Sequence, residues 1–105
     1  MQVNVLSASW NGECVQDCSP RLLPTLVNVP SVTPARCIQV CQEKGFSFAG
    51  VQYAKECWCG NTAPPVDKIV DQKECDMNCA GDSSIKCGGG CRMGVFMTGG
   101  RIKEW

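Results

Sequence analysis

Alternating apolar and polar positions predict three strands in this chain. The run FSFAGVQY over residues 46–53 alternates as a strand does. The short run CWC over residues 57–59 is typical of a second strand, and apolar residues alternate again over residues 93–97 in a last one. We interpret the following large apolar side chains as core residues: Phe46, Phe48, Val51, Val95 and Phe96.

A helix is predicted just before the first of these strands, from about Pro34 to Lys44. Thr33 is a favourable N-cap, Pro34 suits the first helical position, and Gly45 stands where a left-handed C-terminal residue is favoured. Upstream, repeated prolines divide the apolar residues 22–32 into loop and short extended pieces.

Two further segments are predicted to be irregular. Residues 61–71, which contain a Pro-Pro pair, are interpreted as a loop. The triple glycine at residues 88–90 is interpreted as a turn, because it lacks the Lys-Ser/Thr of a phosphate loop and the strand–helix context of a dinucleotide site.

Ten cysteines follow a regular pattern, with C-x3-C four times and C-x-C once. Reduced cytosol does not preserve so dense a framework, so the pattern predicts a disulfide-bonded domain that is secreted or at the cell surface. Zinc motifs pair C-x2-C or C-x4-C with a second such pair or with histidines, and this chain has no histidine. We therefore expect no metal and no cofactor. The cysteines are Cys14, Cys18, Cys37, Cys41, Cys57, Cys59, Cys75, Cys79, Cys87 and Cys91.

Length and charge narrow the possible functions. At 105 residues the chain is expected to be one domain with a thin core, which disulfides stabilise by roughly 2–4 kcal/mol each. Ten basic and ten acidic residues are interspersed, so we expect no nucleic-acid partner. No apolar run approaches the length of a membrane span. The start of the chain has neither the basic segment nor the cleavage site of an export signal, which indicates a mature domain or an excised module.

Geometry argues for one arrangement of bridges. Cys37 and Cys41 lie about 6 Å apart along the predicted helix. Cys57 and Cys59 lie about 6.6 Å apart on one face of the predicted strand. Two parallel bridges between these pairs would hold the helix across the sheet with little strain. Trp58 would then point to the opposite face of the sheet, toward solvent.

Four segments, at residues 10–14, 49–61, 75–82 and 85–93, together resemble the WSC domain family. Residues 49–61, AGVQYAKECWCGN, are similar to its AGVQYGxECYCGN core, and residues 75–82, CDMNCAGD, to its CNxxCAGD segment. Residues 85–93, IKCGGGCRM, resemble its xxCGGxxRLxVY segment, and residues 10–14, WNGEC, its opening YxGCY. The resemblance covers about residues 10–97. We assign the domain to residues 10–98, with an N-terminal extension at 1–9 and a C-terminal tail or linker at 99–105.

The resemblance implies a small, disulfide-rich α+β domain similar to PAN/apple modules, in which a curved antiparallel sheet cradles one main helix. Members are ectodomains of fungal wall-stress sensors, secreted glucan-binding lectins, and modules attached to carbohydrate-active enzymes, and they are regarded as carbohydrate-binding. The family's bridges map to four pairs here, of which the middle two agree with the geometric argument. These pairs are Cys14–Cys75, Cys37–Cys57, Cys41–Cys59 and Cys79–Cys87.

The chain departs from the family pattern in three ways. Cys18 and Cys91 are extra, and since the other eight cysteines are assigned, we predict a fifth bridge between them. This bridge would tie the N-terminal segment to the start of the last strand. Trp replaces Tyr at Trp10 and Trp58, which enlarges the aromatic faces, and Glu13 is inserted in the opening motif.

Glycan binding needs flat aromatic faces for sugar C–H surfaces, with amides, carboxylates or cations for the hydroxyls. Trp58 is the main candidate, and it is flanked by Lys55, Glu56 and Asn61. The alternative is that Trp58 merely covers a disulfide.

Four weaker candidates complete the predicted site. The ring of Tyr53 could instead be core with only its hydroxyl exposed, and Trp10 could stack on the same face or plug the domain edge. Asp82 follows a glycine in a turn, where a carboxylate that bonds its own backbone is the simpler interpretation. Asn78 is the fourth.

We expect no catalytic activity. Without histidine, a Ser/His or Cys/His nucleophile is excluded. A glycosidase needs a carboxylic acid whose pKa is raised by burial, and a domain with a thin core has little interior in which to bury one. The leading hypothesis is a lectin-like module for cell-wall polysaccharide, with β-glucan favoured. The alternatives are a protein-interaction or mechanosensor module without glycan specificity, and an accessory domain of a larger enzyme or receptor.

Overall fold

The computed structural model describes residues 11–18 and 21–99. It shows a five-stranded antiparallel sheet with one helix, and a separate two-stranded hairpin, so the predicted α+β class is confirmed. The elements are β1 (Asn11–Gln16), β2 (Thr25–Val27), α1 (Pro34–Glu43), β3 (Phe48–Gln52), β4 (Glu56–Gly60), β5 (Asn78–Cys79), β6 (Asp82–Lys86) and β7 (Arg92–Met97). The strand order in the large sheet is β1-β7-β3-β4-β2, and β5 pairs with β6.

Helix α1 begins and ends on the predicted signals. Thr33 is extended, and its hydroxyl accepts a hydrogen bond from the backbone N–H of Arg36 at 3.2 Å. Pro34 occupies the first turn, where its missing N–H costs no helical hydrogen bond. Gly45 has a φ of +88°, a left-handed conformation that glycine adopts without strain. The helix itself ends at Glu43, one residue before the predicted end.

All five predicted bridges are present, and two of them fasten α1 to the sheet. Cys37 and Cys41 are fully buried on the inner face of the helix. They bridge to Cys57 and Cys59 of β4, with Cα–Cα distances of 5.5 and 5.4 Å. Val51 lies in the same buried cluster. The other three bridges are Cys14–Cys75, Cys18–Cys91 and Cys79–Cys87.

The sheet face opposite α1 carries a second hydrophobic cluster, which the sequence did not reveal. Its buried members are contributed by three strands and by the segment between β1 and β2, and Ile69 packs against it from the loop after β4. They are Val15, Leu23, Phe48, Met93 and Val95. The sheet is therefore covered on both faces around β3 and β7.

The boundaries of the predicted irregular segments and strands shift slightly. The strand predicted over residues 46–53 spans Phe48–Gln52, and Phe46 packs partly buried against the helix-side cluster. The loop predicted over residues 61–71 includes a 3₁₀ turn at Val66–Lys68. Within the triple glycine, Gly89 exchanges two backbone hydrogen bonds with Arg92 across a tight turn, as predicted.

Both ends of the predicted domain organisation include residues outside the described ranges. Trp10, the extension at 1–9 and residues 100–105 of the tail all lie outside the described residues. Within the part of the chain that is described, no helix has the length and apolar character needed to cross a membrane.

Candidate functional site

Trp58 lies in the middle of β4, opposite Gly50 of β3 and Leu26 of β2. Its two cysteine neighbours face α1, so the indole projects from the other face, as predicted. There the ring packs against the second cluster and is only partly exposed. The ring thus points to the predicted face but is less exposed than expected, because Leu22 and Leu23 join the cluster on this face.

The guanidinium of Arg21 lies over the Trp58 ring, with its Cζ 4.6 Å from the ring centroid. Such a cation–π contact contributes roughly 0.5–1 kcal/mol at an exposed site. The same guanidinium pairs with the carboxylate of Asp17, Nη1 to Oδ2, at 3.0 Å. Arg21 thus covers part of the aromatic surface that a flat ligand would contact.

Asp17 fixes Arg21 relative to the sheet. The side chain of Asp17 is buried, and its Oδ1 accepts a hydrogen bond from the backbone N–H of Leu22 at 2.7 Å. Its backbone N–H donates to the carbonyl of Cys91 at 2.9 Å, and its carbonyl accepts from Nε2 of Gln52 at 3.0 Å. A buried carboxylate is tolerated when it is paired and hydrogen-bonded in this way.

Glu56 orients the indole of Trp58 from the same strand. The indole Nε1–H donates to Glu56 Oε1 at 3.1 Å, which holds the ring in one orientation. Glu56 and Lys55 also line a shallow depression of about 330 Å³, together with Asn28 and Leu26. Leu26 is 57% exposed on the edge strand β2. The depression thus joins charged, amide and apolar groups, and Glu56 connects it to the indole of Trp58.

Tyr53 lies in the three-residue turn between β3 and β4, and the residue is 49% exposed. The alternative of a core ring with only its hydroxyl exposed is therefore wrong. Tyr53 and Ala54 have φ values of +55° and +68°, a left-handed conformation that strains residues with a Cβ. The pattern that this segment resembles has glycine at the position of Ala54.

We expect Ala54→Gly to raise the free energy of unfolding by about 1 kcal/mol, because glycine adopts a positive φ without the Cβ strain. Guanidinium denaturation with all bridges intact measures it. Ala80→Gly is the control, since Ala80 lies in a turn outside the positive-φ set and gains only unfolded-state freedom. An equal stabilisation in both variants would contradict the assignment of strain to Ala54.

Three other predicted residues are bonded elsewhere. Asn61 accepts from the backbone N–H of Ser47 at 2.9 Å, and Asn78 accepts from Lys86 Nζ at 2.8 Å. Asp82 accepts from both the hydroxyl and the backbone N–H of Ser84, and these bonds hold the pKa of Asp82 below its ordinary value. The partners of these three residues are Ser47, Lys86 and Ser84 rather than Trp58 or Glu56, and their binding roles remain predictions.

Asp82 and Lys86 instead line a second, larger depression. It has a volume of about 810 Å³ and lies between the β5–β6 hairpin and the first turn of α1, where Arg36 and Pro34 also line it. Exposed Ile85 contributes apolar surface there. Of the predicted site residues, Trp58, Glu56 and Lys55 therefore lie at one place and Asp82 lies at another.

Sequence reasoning missed the two residues that organise the Trp58 surface, Arg21 and Asp17. They lie four positions apart at the start of a proline-rich segment, and only that acid–base spacing hints at a pair. No local signal places Arg21 over a ring 37 positions further along the chain. The sulfurs of Cys37, Cys41 and Cys57 lie within 4.8 Å of one another, but each belongs to a disulfide and is no thiolate ligand.

Across the described residues, one helix, an antiparallel sheet and five disulfides define a small, disulfide-stabilised module of the extracellular or cell-surface type. The WSC domain model matches residues 11–89, and the chain belongs to the WSC domain family.

Three relatives show the settings in which similar domains occur. Xylosyltransferase oxt of Drosophila melanogaster is 38% identical over 69 residues, which is 66% of this chain and 8% of that protein. A WSC domain-containing protein of Arthroderma benhamiae is 38% identical over 66 residues, covering 63% of this chain and 9% of the relative. A putative fungistatic metabolite of Chaetomium globosum is 29% identical over 69 residues, covering 66% of this chain and 31% of the relative. The chain therefore matches a minor part of the length of each.

Proposed function

We propose that this domain is a non-catalytic, lectin-like module that binds cell-wall polysaccharide, with β-glucan as the favoured ligand. The observation that carries the proposal is Trp58, a partly exposed indole that Glu56 orients on a strand fastened to α1 by two disulfides. A pyranose C–H face covers the ring, while Lys55 and Glu56 bond hydroxyls in the adjoining depression.

The shallow shape of this surface sets the expected strength of binding. One or two sugars stacked in an open depression bury little area, so the affinity of a single site is modest. An insoluble polymer presents many equivalent sites, and a larger protein that carries several modules gains effective concentration from them. Membership of the WSC domain family and the large size of the relatives support such an accessory role.

Depletion of the oxidised domain from solution by insoluble polysaccharides tests the proposal. β-1,3-Glucan, chitin, xylan, cellulose and mannan are compared at equal mass, and we expect the largest loss from the supernatant with β-glucan. If a different polymer alone depletes the domain, that polymer is the ligand instead of β-glucan, and the proposal of a lectin-like module still holds. Depletion by none of them, from a correctly bridged sample, would overturn the proposal.

We expect Arg21→Ala to strengthen polymer binding. The guanidinium occupies ring surface that the sugar needs, and its cation–π contact of roughly 0.5–1 kcal/mol corresponds to about a 2–5-fold rise in affinity when it is removed. Binding isotherms on the polymer measure this. Arg36→Ala, in the larger depression, is the matched control and is expected to have no effect. Weaker binding by Arg21→Ala would show that the guanidinium itself contacts the glycan.

One observation favours a second candidate, a protein-interaction module. Leu26 is 57% exposed on β2, an edge strand of the sheet, and edge strands pair readily with an extended segment of another protein. Two variants separate the two candidates. Leu26→Asp would abolish capture of a protein partner at the edge strand, whereas Trp58→Ala is the variant that lowers polymer depletion.

A further inference from the structure

The five bridges differ sharply in how far solvent reaches them. Eight cysteines, which form four bridges, are buried, whereas Cys18 and Cys91 are both exposed. Thiol–disulfide exchange requires that a thiolate approach a sulfur, so exposure decides which bridge reacts under native conditions. The Cys18–Cys91 bridge is thus the accessible one.

The backbone at one end of this bridge is strained. Cys91 has a φ of +57° in the tight turn that Gly89 and Arg92 close with two backbone hydrogen bonds. A non-glycine residue keeps a left-handed conformation only where its surroundings enforce it. Here the bridge to Cys18 and the turn together enforce it, so opening the bridge removes one of the two constraints.

We propose that the Cys18–Cys91 bridge is a redox modification site, opened by an external dithiol while the other four bridges stay closed. One thiolate of the reagent attacks an exposed sulfur and forms a mixed disulfide, and the other protein sulfur leaves as a thiolate. The second thiol of the reagent then attacks the mixed disulfide. Two electrons pass to the protein bridge, the reagent ends as a disulfide, and both cysteines take up protons to become thiols.

The bridge lies next to the residue that positions Arg21. Asp17 precedes Cys18 directly, and its N–H bonds the carbonyl of Cys91 at 2.9 Å. Opening the bridge lets the strained turn at Cys91 relax, which weakens the bond from the Asp17 N–H to the Cys91 carbonyl, while the bond from Gln52 Nε2 to the Asp17 carbonyl persists. The Asp17–Arg21 pair then loosens, and the guanidinium leaves the Trp58 ring. The effect of opening on ligand binding, unlike the modification itself, rests on the proposed function.

Timed alkylation tests the modification site without any glycan. The folded domain is treated with limiting dithiothreitol, quenched with iodoacetamide and mapped by mass spectrometry. We expect label on Cys18 and Cys91 at least about tenfold faster than on any other cysteine. The Cys18→Ser/Cys91→Ser double variant is the control and should remain unlabelled over the same time. Simultaneous labelling of all ten cysteines, or earlier labelling of a buried pair, would overturn the proposal.

Two further readouts test the coupling to Trp58. The indole N–H resonance of Trp58, assigned by comparison with Trp58→Phe, is expected to shift in the double variant. An unchanged resonance would overturn the coupling between the bridge and the ring.

Binding to β-glucan is the second readout. Opening the bridge should raise the affinity about 2–5-fold, which corresponds to the lost cation–π contact, and should have no further effect in an Arg21→Ala background. If the wild-type domain binds no polymer, the proposed glycan-binding function is wrong, and the alkylation experiment still tests the redox site independently.

Discussion

Trp58→Ala is expected to weaken binding to β-glucan by about 30-fold, equivalent to about 2 kcal/mol, the usual cost of removing a central aromatic contact. The indole supplies the flat apolar surface of the site, and its N–H bond to Glu56 fixes the orientation of the ring, so the substitution removes both the contact area and its orientation. Isotherms on insoluble β-glucan, with wild type and variant side by side, measure the loss.

Trp58 also packs against the second cluster, so a variant that keeps the fold separates binding from stability. Trp58→Leu retains apolar cover for the cluster and removes the aromatic face, and it should lose nearly as much binding as Trp58→Ala. Ile85→Ala, an exposed apolar residue of the larger depression, is the matched control and should bind as wild type does. If both Trp58 variants bind as strongly as wild type, Trp58 does not form the glycan-binding site.

Gly88→Ala is expected to lower the free energy of unfolding by about 3–5 kcal/mol, because overpacking and a left-handed conformation add their costs. Gly88 has a φ of +73°, and a Cβ there would lie 2.5 Å from the carbonyl oxygen of Arg92 and 2.6 Å from that of Val51. Both obstacles are backbone atoms of β7 and β3, which cannot rotate aside. Denaturant midpoints of the oxidised proteins measure the loss.

The same glycine run provides the control. A Cβ at Gly90, two residues further on, would meet nothing within 4 Å, so Gly90→Ala is expected to change stability by no more than about 0.5 kcal/mol. Equal losses at both positions would show that the turn itself, rather than the close approach of two strands to Gly88, requires glycine.

Features that depend on neighbouring residues were predicted well from the sequence. The caps of α1 at Thr33 and Gly45 act within one turn, and the spacing of Cys37 and Cys41 matches that of Cys57 and Cys59 because helix rise and strand rise are fixed. The remaining bridges were available only through the resemblance. Their partners are up to 73 positions apart, and no local geometry selects them.

Features that depend on distant segments were predicted poorly. The face of β4 that carries Trp58 was expected to be open, because strand alternation says which way a side chain points and nothing about what packs over it. The segment before β2 brings Leu23 against this face and Arg21 over the ring. The proline-rich composition that identified this segment as irregular gave no sign that it would complete a second core.

The bridges also determine how the molecule responds to a protease. Cys14–Cys75 and Cys18–Cys91 enclose nearly the whole described chain, with the other three bridges nested inside. A single peptide-bond cleavage anywhere between Cys14 and Cys91 therefore leaves both fragments joined by at least one disulfide. At residues 76–78, the joining bridge is Cys18–Cys91 alone. After cleavage at residues 76–78, the two fragments therefore stay together while Cys18–Cys91 is oxidised and separate once an external thiol reduces it.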